Sequence, residues 1–173
     1  MGRGRVFPII LSIIFIVIII YFFANVNQPY VVCSKTKTND LGFTITEEIK
    51  TTLDGNSIEK MDITKTITFP ENYISNHNLE FTNMRKTLKH AYDYLPKGTK
   101  KITQEADRLI AHITIEDNET IILDNMDVVS DNGLNLKINA NTKAEDVVTL
   151  KIKDKYTEGE FMTHMKKNGY TCN

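Results

Sequence analysis

Residues 42–69, which read GFTITEEIKTTLDGNSIEKMDITKTITF, decide the fold of this chain. In both halves apolar residues recur with a period of two among Thr, Lys and acidic residues, a pattern typical of half-buried β-strands. These apolar positions are Phe43, Ile45, Ile49 and Leu53, then Met61, Ile63, Ile67 and Phe69. Asp54-Gly55-Asn56 lies between the halves and tolerates the positive φ angles of a tight turn. The segment therefore predicts a long β-hairpin, which Pro70 ends.

Two other segments have the period of an amphipathic helix. Across residues 78–95 apolar side chains recur at steps of three and four, and Pro96 follows directly. A second helix is predicted over residues 158–168, because Thr157 and Glu160 have the spacing of a capping box. The chain thus carries one central and one C-terminal helix.

The remaining periodic segments are predicted strands. Residues 100–105 and 109–116 form a second hairpin, and strands follow over residues 134–140 and 148–152. Residues 119–130 fit a strand or a short helix equally well. The expected fold class is α+β: an antiparallel sheet of hairpins with both helices packed on one face, preceded by a single transmembrane helix.

The chain begins with a candidate membrane anchor. Residues 6–24 carry no charge and 17 of these 19 residues are apolar, enough to cross a hydrocarbon core of about 30 Å. Cleavage after Ala24 would place bulky Phe22 where signal peptidase requires a small residue, which favours an uncleaved anchor. Arg3 and Arg5 precede the span and orient it with the N-terminus inside. We therefore expect a cytoplasmic N-terminus over residues 1–5, an anchor in the lipid bilayer over 6–24, a linker over 25–30 and an extracytoplasmic α+β domain over 31–173.

Cys33 and Cys172 are the two cysteines of the chain, and they lie near opposite ends of the outer domain. On the oxidising side of a membrane they are expected to form a disulfide. Lipidation of Cys33 is an alternative to the disulfide. This reaction needs a small residue just before the cysteine, and Tyr30-Val31-Val32 does not supply one. Two free thiols, or a bridge between two molecules, are also compatible with the sequence.

The sequence indicates no catalytic, cofactor-binding or metal-binding constellation. Ser57 and Lys60 have S-x-x-K spacing, but Ser57 follows a hairpin turn and begins a strand, where residues three apart point to opposite faces. The histidines His77, His90, His112 and His164 include no i, i+4 pair. We therefore expect a protein that is not an enzyme.

Charge restricts the possible partners. The formal net charge of the 173 residues is −1, without the basic excess that nucleic-acid binding requires. Lys97, Lys100 and Lys101 form a small basic patch, which fits either a solvated turn or contact with lipid headgroups or wall polymers. The expected partners are therefore the bilayer and a protein or polymer of the cell envelope, and no nucleic acid.

In its order of elements the chain resembles the YehR-type lipoproteins and other small extracytoplasmic proteins of low-GC Gram-positive bacteria. The resemblance rests on the hairpin over residues 42–69, the central helix, the second hairpin and the closing KKNGYTC of residues 166–172. It implies an α+β envelope protein and no catalytic residues. The lipobox cysteine of YehR-type proteins is not reproduced before Cys33.

These observations predict a membrane-anchored extracytoplasmic binding or interaction module. A small envelope hydrolase and an accessory subunit of a membrane complex are the competing hypotheses. Because fold alone does not assign activity, the choice depends on the arrangement of side chains.

Overall fold

A computed structural model describes most of residues 31–173. It covers residues 29–70, 78–91, 99–105, 107–116, 120–123, 125–131, 135–141 and 148–173, together with Ile14 and Ile16. The predicted cytoplasmic N-terminus and nearly all of the predicted anchor and linker lie outside these residues. Within the described part of the chain, no helix has the length and apolar character needed to cross a membrane.

The described residues form an α+β domain of ten strands and two helices. In chain order the elements are β1 Tyr30–Thr38, β2 Thr44–Asp54, β3 Ser57–Thr68, α1 Asn78–Ala91, β4 Thr99–Gln104, β5 Arg108–Ile115, β6 Thr120–Leu123, β7 Asn125–Asp131, β8 Asn135–Asn141, β9 Val148–Lys151, α2 Glu158–Lys167 and β10 Thr171–Cys172. Both predicted hairpins are confirmed, as β2–β3 and β4–β5. Both predicted helices are confirmed as well. The first is seen as far as Ala91, and its predicted last residues, 92–95, lie outside the described part.

Six strands make one antiparallel sheet in the order β10-β1-β2-β3-β5-β4. The β2–β3 hairpin is at its centre, and its turn uses Gly55 at φ 58°. One β-bulge interrupts this hairpin: Thr52 pairs with Lys60 while Leu53 pairs with Ile58, so that Glu59 is the extra residue on β3. The bulge brings Ile58 onto the buried face three residues before Met61.

Residues 119–130 fitted a strand and a helix equally well, and those among them that the structure describes belong to strands β6 and β7. β6 pairs with β9, and β7 pairs with β8, in two separate two-stranded antiparallel sheets. The partner of β6 is more than twenty residues away along the chain. Local periodicity therefore carried too little information to choose between the two structures.

One hydrophobic core lies against one face of the large sheet. The inward residues of β2, β3 and β5 belong to it, together with Met84 and Leu88 of α1 and Phe161 and Met165 of α2. The opposite face of the sheet presents alternating Thr, Lys and acidic side chains. This alternation is the two-sided pattern that the period-two sequence predicts.

Helix α2 begins with the predicted capping box. The Glu160 amide donates to the Thr157 hydroxyl at 3.3 Å, and the Thr157 amide donates to the Glu160 carboxylate at 2.8 Å. At its other end, Gly169 has φ 85° and donates its N–H to the Lys166 carbonyl. Residues next to the helix in the sequence therefore cap it at both ends.

The capping box has a measurable dependence on pH. Hydrogen bonds from the Thr157 amide and then its hydroxyl stabilise the charged form and lower the pKa of Glu160 below 4.5. Since the folded-state pKa is lowered, the stabilisation is present above the unfolded pKa and is lost as pH falls through the folded value. An NMR titration is expected to give a pKa below 4.5 for Glu160. Thr157→Val should raise it only in part, because the amide donor remains; an unchanged pKa in this variant would exclude the hydroxyl contribution.

Cys33 and Cys172 form the expected disulfide. They occupy directly paired positions of β1 and β10. Reciprocal backbone hydrogen bonds between Val32 and Asn173, at 3.2 and 3.1 Å, extend this pairing to the last residue. The bridge therefore fastens β10 to its neighbour β1.

Candidate functional site

Helix α1 has one apolar and one cationic face. Met84 and Leu88 are fully buried, as expected for residues one turn apart on the side that faces the core. The cationic face consists of Thr82, Arg85, Lys86 and Lys89, at i, i+3, i+4 and i+7. These four side chains are exposed, and their helical spacing places them together on a side of the helix that does not carry Met84 and Leu88.

The sheet ends next to this helix. Strand β4 is the last strand in the order, and α1 packs against β4, β5 and β8. On β4, Lys100 and Ile102 are opposite the buried residues Ile113 and Ala111 of β5, and both are half-buried. Their side chains therefore point to the same side of the sheet as α1.

The cationic face of α1 and the inward side of β4 line one groove. Its volume is about 450 Å³, and its walls are Thr82, Arg85, Lys86, Lys89, Lys100 and Ile102. Pockets that hold small ligands or peptide side chains have volumes on this scale. Among the lining residues that the structure describes, four of six are cationic and none is acidic, which suits the groove to an anion.

The positive charges on α1 lower the stability of the helix. Arg85 and Lys89 are four residues apart, and Lys86 and Lys89 are three apart. Like charges at these spacings destabilise a helix by about 0.2–0.5 kcal/mol per pair. A bound anion would remove this repulsion, which gives the groove a physical reason to bind one.

A second polar cluster lies inside the core. Lys65 is 2% and Glu47 is 6% exposed, and they occupy paired positions of β2 and β3. The Lys65 ammonium is 2.6 Å from a Glu47 carboxylate oxygen, and the Tyr170 hydroxyl donates a hydrogen bond to the other oxygen. The cluster joins the centre of the sheet to the C-terminal segment.

Lys35 extends this cluster to the end of α2. Its ammonium donates to the carbonyl of Asn168 at 3.2 Å and lies 5.5 Å from the centroid of the Tyr170 ring. A cation is favoured at a helix C-terminus, where unsatisfied carbonyls accumulate negative partial charge. We assign this cluster to stability, because each group is used in holding α2 and β10 to the sheet.

The predicted basic patch is divided by the strand geometry. Lys100 lines the groove, whereas Lys101 points to the opposite face of β4, where it is exposed. Lys97 lies outside the described residues. The sequence therefore located one groove residue, but it contained no sign that α1 supplies the other three cations.

Ser57 and Lys60 differ from their predicted arrangement. The bulge at Glu59 places both side chains on the same, outward face, so the prediction that they point to opposite faces is wrong. Lys60 is, however, 2.9 Å from the Glu116 carboxylate and 3.8 Å from that of Asp62. The hydrogen bond to Glu116, together with the charge of Asp62, raises the pKa of Lys60. This lysine is therefore held protonated, the opposite of what a general base requires.

The structure describes the side chains of two histidines, His112 and His164, which lie on different elements. His112 is exposed on the outward face of β5, and its Nδ1 is 3.2 Å from the Thr64 hydroxyl. His164 lies on α2, and the centroid of its ring is 5.6 Å from that of Tyr156. Among the residues that the structure describes, no three His, Cys, Asp or Glu side chains are grouped as metal ligands would be.

No protein-family model, curated protein or solved structure is significantly similar to this chain.

Proposed function

We propose that this protein is a non-enzymatic binding module, held at the outer face of a membrane, which takes an anionic ligand in the groove between α1 and β4. The observation that carries the proposal is the lining of that groove. Four cationic side chains converge there from a helix and a strand, in a domain whose chain as a whole has a net charge of −1. These cations therefore lie together in a chain that is not basic overall.

The proposed location rests on three observations. Residues 6–24 have the length and composition of a membrane anchor. Arg3 and Arg5 precede them, as expected when the N-terminus is cytoplasmic. The Cys33–Cys172 disulfide is typical of a domain on the oxidising side of a membrane.

The proposal can be tested with the full chain in an uncharged detergent. Fluorescence anisotropy would measure the binding of labelled poly-glutamate and labelled polyphosphate to the protein. The double variant Arg85→Ala, Lys89→Ala is expected to bind about tenfold more weakly. Each exposed ion pair contributes up to about 1 kcal/mol, and about 1.4 kcal/mol corresponds to a factor of ten. Added salt should weaken the wild-type interaction, because exposed charges are screened.

A matched control removes the same charge from another helix. Lys166 and Lys167 are exposed on α2, and Lys166→Ala, Lys167→Ala should leave the affinity unchanged within about twofold. If both double variants weaken binding equally, the interaction is with the overall charge and not with the groove. If the wild-type protein binds neither probe, the proposed function is wrong.

A further inference from the structure

The groove has a feature that a site for a free anion would not need, namely a sheet edge with no partner strand among the described residues. Strand β4 is the end of the six-stranded sheet, and no described strand pairs with its outer side. The cationic face of α1 runs beside this edge. Extended peptides can bind to an exposed sheet edge by adding a strand, and pockets beside the edge then select their side chains.

The hydrogen-bond pattern shows which backbone groups of β4 point to its outer edge. The Glu105 amide donates to the Arg108 carbonyl at 2.9 Å and closes the β4–β5 turn, which makes this a hydrogen-bonded pair. Hydrogen-bonded and non-hydrogen-bonded pairs alternate along an antiparallel ladder. The Ile102–Ala111 pair, three residues further, is therefore a non-hydrogen-bonded pair. The N–H and C=O of Ile102 consequently point away from β5, toward the outer edge.

We infer that the occupant of the groove is an acidic peptide segment of a partner protein, which adds to β4 as a further antiparallel strand. The inference rests on the proposed function and names its ligand class. Backbone groups of the peptide pair with the outer edge of β4. Its acidic side chains reach the cations of α1, and Ile102 offers an apolar contact between them.

Strand geometry also defines the pattern of the peptide. Side chains alternate between the two faces of a strand, so only every second residue of the peptide faces α1. Acidic residues are therefore required at alternate positions only. In antiparallel addition one residue of the peptide lies opposite Ile102. The side chains of these two residues point to the same face of the sheet, and the backbone N–H of the peptide residue points toward β4. The acidic residues are thus the ones whose amides make the new hydrogen bonds.

This relation provides a test that leaves the protein unchanged. The probe is a short labelled peptide of alternating Glu and Thr, and its affinity for the full chain in uncharged detergent is measured by anisotropy. Two further versions are N-methylated, one at the Glu amides and one at the Thr amides. We expect Glu methylation to weaken binding at least about tenfold and Thr methylation to change it by less than about twofold.

The possible results separate this inference from the proposed function. Equal affinities for the two methylated peptides would overturn strand addition, while binding of the unmodified peptide would leave the anion-binding groove intact. Binding of polyphosphate without binding of the peptide would overturn the peptide as ligand and retain the proposed function. If neither polyphosphate nor the peptide binds, both proposals fail.

Discussion

Glu47→Ala is expected to lower the free energy of unfolding by about 3–5 kcal/mol. The substitution leaves the Lys65 ammonium buried at 2% exposure without its carboxylate, and it removes the acceptor of the Tyr170 hydroxyl. An uncompensated buried charge costs more than the ion pair contributed, so the loss exceeds that of an ordinary surface substitution. Denaturant unfolding followed by circular dichroism would measure the difference.

Two variants show whether the buried charge is the cause. Glu48→Ala removes the same side chain from the next position, which is exposed on the other face of the sheet, and should change stability by less than about 0.5 kcal/mol. The triple variant Glu47→Met, Lys65→Met, Tyr170→Phe removes all three polar groups together and should recover most of the loss. A triple variant as unstable as Glu47→Ala would show that the charge is not responsible.

Removal of the disulfide is the second change with a large expected effect. Cys33→Ala with Cys172→Ala should lower the free energy of unfolding by about 2–5 kcal/mol. The bridge joins residues 139 positions apart, and β10 is only two residues long, so its backbone pairing with β1 is short. Without the bridge, Tyr170 is also less firmly held against Glu47. The effects of Tyr170→Phe and of the cysteine substitutions are therefore expected to be non-additive.

Mass spectrometry tests the same bond in the protein as the cell makes it. Protein alkylated at the moment of cell lysis should show no labelled cysteine until a reductant is added. This result would support the proposed extracytoplasmic location, because disulfides persist on the oxidising side of a membrane. Alkylation of both Cys33 and Cys172 before reduction would contradict both the bond and the location.

Features that depend on local sequence were predicted correctly. The β2–β3 hairpin follows from period-two alternation around Asp54-Gly55-Asn56, and α2 from the capping box of Thr157 and Glu160. Turn residues and helix caps act over a few positions, so their energetics can be inferred from the sequence directly. The pairing of β6 with β9 depends on residues far apart in the chain, and no local period specifies it.

The sequence does contain a signal for the buried cluster. Glu47 and Lys65 occupy inward positions of the predicted hairpin, among isoleucines, and an antiparallel register can bring such residues opposite each other. Two opposite charges in an otherwise apolar pattern indicate a buried ion pair. By contrast, the groove has no signal of this kind, because the cationic face of α1 has the same pattern as any solvated helix surface. The cationic face of α1 lines a groove only because β4, the last strand of the sheet, lies beside it.

The central claim is that anionic ligands bind between α1 and β4, and backbone NMR of the full chain in uncharged detergent tests it most directly. During titration with poly-glutamate, the amide signals of residues 82–89 and 100–102 should shift most, and saturably. The signals around Lys166 and Lys167, the exposed basic pair on α2, should shift little. Shifts concentrated at Lys166 and Lys167, or an absence of saturable shifts in α1 and β4, would contradict the claim.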